Sequence, residues 1–271
     1  MYKLVVAAVS TVLAAGALIG ASPRSPAATV VDVLYAASLV TPMQGPVADA
    51  LRAAGTQLLG EPGGSKKLAN FIASGVRSPD VFISADPSIV AGLDGVGSST
   101  VFARTSIGIA WSPKSRYNSL FQRVAAGKVS LFQALSAAGL KLGRTDPQLD
   151  PKGVLTVRAI KAIAGATVER QLLGEDENPN QIFPEEDLLA RVDTGEIDVG
   201  FFYHIEAVSR GYPYVSLPPS PASQVSYALA IMKNAPHPQA AQTFATFILK
   251  GKGRDILQRA GLDYVTPPDN R

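Results

Sequence analysis

Apolar runs alternate with segments of helical spacing along the whole chain. Val30–Tyr35, rich in β-branched residues, reads as a buried strand, and a helix is expected to start near Thr41–Pro42. Gln57–Leu59 suits a short strand. Lys66 to Ser74 carries helical spacing through Leu68, Phe71 and Ile72. Val81–Ser84 is a further strand, and Asp86-Pro87 an N-cap with proline at the first helical position. Ser106–Trp111 predicts a strand ended by Ser112-Pro113. Leu120–Ala138 predicts one helix, weakened at Gly127, and Leu140–Gly143 a short strand. Asp150-Pro151 opens a helix to about Ala164, and Glu185–Asp193 is helical with acids in its first turn, where the dipole favours them. Strands follow at Asp198–Tyr203, Pro213–Leu217 and Tyr227–Met232, and helices at Pro238–Leu249 and Gly253–Ala260. Alternation of this kind predicts an α/β fold with mainly parallel sheets. With 271 residues, more than one compact lobe is expected.

Charge excludes several functions. The formal charge is +3, but residues 1–28 hold Lys3 and Arg24 and no acid, which leaves 23 basic against 22 acidic residues. Such a chain has no basic field to grip nucleic acid. The absence of cysteine excludes disulfides, thiolate metal sites, cysteine nucleophiles and a lipid-modified N-terminal cysteine. The first 28 residues read as an export signal. Lys3 supplies the positive start, Leu4 to Ala21 the apolar stretch, and Ala21 or Ala28 a small residue for cleavage. A retained membrane anchor is the alternative, since the run is about long enough to span a bilayer.

Three strand-to-helix loops carry the candidate chemistry. Such loops lie at the carboxyl ends of strands, where open α/β sheets bind ligands, and helix starts offer free N–H groups to anions. The first, Ala36-Ala37-Ser38-Leu39, offers the Ser38 hydroxyl; an ordinary N-cap serine is the plain alternative. The second is Gly63-Gly64-Ser65-Lys66, whose glycines allow close backbone approach. It is not a nucleotide-binding P-loop: counted from Gly60, Ser65 stands where glycine is needed and Lys67 where Ser or Thr would hold magnesium. The third runs from Gly143 to Gly153 and contains Arg144, Asp150 and Lys152. Asp150 either caps its helix or faces a ligand, with the two cations as compensating charges. Tyr203 ends a strand and could donate a phenol hydrogen bond.

Taken together these segments resemble the molybdate/tungstate-binding receptors of ABC importers. Val33-Leu34-Tyr35-Ala36-Ala37-Ser38-Leu39 is similar to that family's opening strand and first serine loop, and Gly63-Gly64-Ser65 to its second. Pro79-Asp80-Val81-Phe82-Ile83-Ser84-Ala85-Asp86 is the most distinctive match. Gly143–Gly153 and Gly195–Tyr203 resemble the lobe-two loop and strand of the tungstate-type branch. The resemblance implies a two-lobed type II periplasmic-binding-protein fold, an α/β architecture with a hinge of two crossing strands. Residues 30–105 plus 224–271 would form lobe one and 106–223 lobe two. It also implies ligand-binding roles for Ser38, Ser65, Asp150, Lys152 and Tyr203, no cofactor, and no metal apart from the bound oxyanion. The implied partners are a permease and its ATPase, contacted by a monomer that is periplasmic or cell-surface. Where the tungstate-type branch often carries a glutamate ligand, this chain has Phe202, which favours an anion held tetrahedrally by hydrogen bonds.

Two rival readings remain at this point. Sulfate or phosphate could take the place of molybdate, with Asp150 accepting the proton of hydrogen phosphate. A two-lobed hydrolase or transferase is disfavoured: there is no G-x-S-x-G elbow, and His204 and His237 are isolated in sequence.

Overall fold

The computed structural model describes residues 29–174 and 178–265, and only the backbone of Glu186. The proposed export signal and the last six residues of lobe one lie outside them. Nine strands form the framework: β1 (Thr29–Ala36), β2 (Thr56–Gly63), β3 (Val81–Ser84), β4 (Val96–Ala110), β5 (Leu142–Gly143), β6 (Val199–Tyr203), β7 (Tyr214–Ser216), β8 (Gln224–Met232) and β9 (Asp263–Tyr264). Their order is β2-β1-β3-β8-β4-β6-β5, with β7 and β9 also paired to β4.

β4 joins two sheets. Its residues 96–106 pair antiparallel with β8, beside β3, β1 and β2, while Ile107–Ala110 pair antiparallel with β6. β8 then lies in the first sheet beside β3. The fold is therefore two-lobed, with β4 running from one sheet into the other and β8 paired along its first part. The sheets are mixed rather than mainly parallel. β1 runs parallel to β2 and β3, and β5 to β6, but every pairing of the connecting strands is antiparallel.

Most elements fall where hydrophobic periodicity places them. Leu34, Phe82, Leu68, Val90, Ala228 and Ala230 pack together on one face of the first sheet, and Val31, Val33, Tyr35, Ile83 and Phe244 on the other. In the second lobe Phe202 buries against Leu188, Leu189 and Val192. Fully burying each large side chain contributes about 1.5–3 kcal/mol. The expected helix over 120–138 is two helices, Asn118–Ala125 and Leu131–Leu135. Gly127 breaks it with φ +68°, a left-handed turn that costs glycine little. The segment 37–53 is helical from Ala37 onward, not from Thr41, and carries a wide π-turn at Met43–Val47 around Pro46.

His237 is isolated in sequence but paired in space. Its Nδ1 lies 2.9 Å from Asp80 Oδ2, its N–H donates to Asp80 Oδ1 at 2.6 Å, and Asp32 N–H donates to Asp80 Oδ2 at 2.8 Å. Asp80 is fully buried, and these donors satisfy it. The cluster ties β1, β3 and the start of helix Pro238–Lys250 together.

Candidate functional site

The serine loops converge because their strands are neighbours. β1 and β2 are in register to Ala36↔Gly63, so Ser38 and Ser65 each sit two residues beyond the paired ends. β3 pairs with β1 up to Tyr35↔Ile83 and brings Ser84-Ala85 to the same edge. Ser65 is fully buried, and its Oγ accepts the Ala85 N–H at 3.1 Å. Ser38 Oγ is hydrogen-bonded to the Tyr227 hydroxyl at 2.9 Å, from the crossing strand β8.

Lobe two faces this edge with Asp150, Lys152 and Tyr203. Asp150 is the N-cap of helix Pro151–Ala164: its Oδ1 accepts the Lys152 N–H at 2.6 Å, and Pro151 takes the first helical position. That cap takes up the Lys152 amide. The lysine side chain reaches into the centre. Nζ, fully buried, lies 2.8 Å from Glu206 Oε1 and 3.5 Å from Glu185 Oε1, and stands 5.5 Å from the Tyr203 ring centre. Glu206 Oε2 accepts the Tyr203 N–H at 2.7 Å, fixing the end of β6 to the helix His204–Arg210. Phe202 points to the other side of β6, as strand alternation requires.

Glu185 closes the circuit between the lobes. It opens helix Glu185–Asp193, and its Oε1 accepts the Ser38 N–H at 3.1 Å across the cleft. The lobes also touch at Gly64. A Cβ there would stand 3.0 Å from Leu149 O and 3.4 Å from Asp150 Oδ2, so glycine permits the approach. Ser38, Asp150, Lys152 and Tyr203 are thus gathered around Glu185 and Glu206, and Ser65 lies on the same strand edge beside Gly64.

Electrostatics set the protonation of this buried group. Burial raises the Glu185 carboxyl well above its ordinary range, Asp150 raises it further, and Lys152 opposes both. With the Asp150 carboxyl beside it, Glu185 is pushed toward its protonated form. Burial also raises Glu206, against the pull of Lys152. Burial alone would lower the Lys152 ammonium, but Glu206, Glu185 and Asp150 outweigh it and hold it above its usual value. Burial, then Asp150, pushes the Tyr203 phenol well up, so it stays a neutral donor. Asp150 Oδ2 finds no N–H or hydroxyl donor, and the Tyr203 hydroxyl finds no partner, although both are buried. Unsatisfied buried polar atoms of this kind are costly and are expected where a ligand completes them. Two cavities open on the centre. One of about 260 Å³ is lined by Gly64, Lys67, Asp150 and Glu185, and one of about 380 Å³ by Ala85, Asp86, Arg158 and Tyr203. Among the described residues no group of three or more His, Asp or Glu side chains is arranged to hold a metal ion.

Residues 31–263 match the family described as bacterial extracellular solute-binding protein. The chain belongs to that family. Its members bind solutes outside the cytoplasm, so the reading as a receptor rather than an enzyme stands, and so does the expectation of export. A protein of Haloferax volcanii, provisionally named an ABC transporter molybdenum-binding protein, is 34% identical over 165 residues. That match covers 60% of this chain and 52% of the relative, so this chain spans about half of its length. The molybdate-binding protein ModA of Mycobacterium tuberculosis is 29% identical over 272 residues, covering 93% of this chain and 95% of that one. The periplasmic molybdate-binding protein of Azotobacter vinelandii shares the fold, with TM-score 0.68, 19% identity, and coverage of 88% of this chain and 99% of that one.

Sequence reasoning missed three members of the cluster. Glu185 reads as a first-turn acid placed for the helix dipole, and Glu206 follows Tyr203 by three residues on a helix not foreseen there. Tyr227 reads as one strand residue among many. A glutamate three residues after a strand-ending residue is a capping signal that could have found Glu206.

Proposed function

We propose that the protein is a receptor for molybdate or tungstate, which it delivers to an ABC permease and its ATPase. The observation that carries this reading is the pairing of Ser38 and Ser65 on one strand edge, opposite a buried Tyr203 phenol that lacks a protein partner. A dianion leaving water needs many donors, and hydroxyls, a phenol and a buried ammonium supply them. The names of the Haloferax and Mycobacterium relatives support the choice of ligand. In this reading Ser38, Ser65, Lys152 and Tyr203 face the oxyanion, and Asp150 sets the position of Lys152 and limits the charge the site accepts. Lobe one comprises residues 30–105 and 224–271, lobe two residues 106–223, and the exported chain acts as a monomer in the periplasm or at the cell surface.

A thermal-shift series with molybdate, tungstate, sulfate and phosphate tests the assignment. A ligand at one hundred times its Kd stabilises the fold by about 2.7 kcal/mol. Molybdate and tungstate are expected to raise the melting temperature most. The second reading, a phosphate receptor, is favoured by the Asp150 carboxyl, whose buried Oδ2 lacks a donor and can accept the proton of hydrogen phosphate. A shift with phosphate and none with molybdate would establish it instead.

A further inference from the structure

We propose that Glu185 is a built-in competitor of the oxyanion: its carboxylate takes the Ser38 amide and shadows Lys152, and the anion must displace it to bind. This inference deepens the oxyanion reading and depends on it. Glu185 Oε1 accepts the Ser38 N–H at 3.1 Å and stands 3.5 Å from Lys152 Nζ. These are an amide donor from lobe one and the buried cation of lobe two, the groups that any anion in the cleft would use. The neighbouring Asp150 Oδ2 and Tyr203 hydroxyl remain buried without a donor or partner, so Glu185 satisfies the centre only in part.

Charge decides that the relation is rivalry. Asp150, Glu185 and Glu206 already surround one lysine. A dianion placed beside three carboxyls is repelled unless one of them is protonated or leaves. Glu185 has somewhere to go. It lines a cavity of about 260 Å³ that gives a displaced carboxylate room to turn. It heads helix Glu185–Asp193 directly after Pro184, at the end of a loop that lines the same cavity through Ile182 and Phe183. Phe202, before Tyr203 on β6, packs away from the centre, so the carboxyls there come from other elements.

Protonation modulates the competition. The groups facing Glu185 are Asp150 and Lys152 of the loop and helix at 150–164, Glu206 of helix His204–Arg210, Tyr203 of β6, Tyr227 of β8, and Lys67 and Asp146 across the cavity. Burial and Asp150 raise the Glu185 carboxyl, so it takes up a proton at a higher pH than an exposed glutamate does. A neutral Glu185 competes less for Lys152 and repels the dianion less.

The test is calorimetric titration of the full chain with molybdate, for the wild type, Glu185→Gln and Glu185→Ala. Both variants are expected to bind more tightly, the alanine variant by about tenfold or more, as expected for loss of one charged contact. Wild-type affinity is expected to rise as pH falls, and the variants to lose that slope. Equal or weaker binding by folded Glu185→Ala, with intact wild-type binding, would overturn the proposal and leave the oxyanion reading standing. Should the variants fail to fold, a flat wild-type pH profile would overturn it. A wild type that binds none of molybdate, tungstate, sulfate or phosphate would overturn both.

Discussion

Lys152 Nζ lies 2.8 Å from Glu206 Oε1, both side chains buried, and the other Glu206 oxygen holds the Tyr203 amide at 2.7 Å. One ion pair therefore fixes both the start of helix Pro151–Ala164 and the end of β6. Removing one partner of such a pair leaves a buried charge without compensation and costs about 3–5 kcal/mol. Lys152→Met is expected to lose that much in denaturant unfolding and to bind the oxyanion more weakly. Glu206→Gln, which keeps the shape, is expected to lose less. Equal stability of Lys152→Met and the wild type would contradict this role.

The Tyr203 hydroxyl is buried without a partner. Tyr203→Phe is therefore expected to keep or slightly raise stability, because it removes an unsatisfied polar atom. Its oxyanion affinity is expected to fall about tenfold. Paired unfolding and titration curves check both halves, and a loss of stability with unchanged affinity would reverse the assignment.

Ser38 and Ser65 differ in what they already hold. Ser65 Oγ accepts the Ala85 amide, so Ser65→Ala leaves a buried N–H unpaired, while Ser38 Oγ bonds only the Tyr227 hydroxyl. Both alanine variants are expected to weaken oxyanion binding about tenfold or more, and Ser65→Ala also to lose about 1–3 kcal/mol of stability. Tight molybdate binding by the double variant would remove these serines from the site.

Gly64 packs close against Leu149 O and Asp150 Oδ2 across the cleft. Gly64→Val is expected to hold the lobes apart. Small-angle scattering in saturating molybdate would then show a larger radius of gyration than for the wild type. Folding of each lobe is not expected to suffer, and an unchanged radius with unchanged affinity would show that this approach is not needed for binding.

Stability should fall as pH rises through the acid-to-neutral range. Burial and Asp150 raise the folded carboxyl of Glu185 above its ordinary 4.5, so the folded state holds a proton that the unfolded chain has released. Stability is then greatest below about the unfolded pKa and declines as pH climbs toward the folded value. Glu206, also raised by burial, adds to the decline. Glu185→Gln is expected to flatten the profile measured by urea unfolding, and an unchanged slope would contradict it.

The order of strands and helices was legible from the alternation of apolar runs, and the strand-end positions of Ser38, Ser65 and Tyr203 from the loops that follow them. The mixed sheets were not. β4 reads as a strand only over its apolar end, because its start, Val96–Val101, is largely exposed and rich in Gly, Ser and Thr, and offers no continuous apolar run. Glu185 was hidden for another reason. A carboxylate in a helix's first turn is satisfied by the dipole alone, and only the closure of the lobes brings it 147 residues away in sequence to the Ser38 amide. Contacts between lobes leave no local pattern.

Calorimetry of the purified wild-type chain with molybdate tests the central claim most directly, with tungstate, sulfate and phosphate as competitors. The account predicts one saturable site for molybdate that tungstate displaces and sulfate displaces only weakly. Saturable binding of sulfate or phosphate, with no heat from molybdate or tungstate, would contradict it.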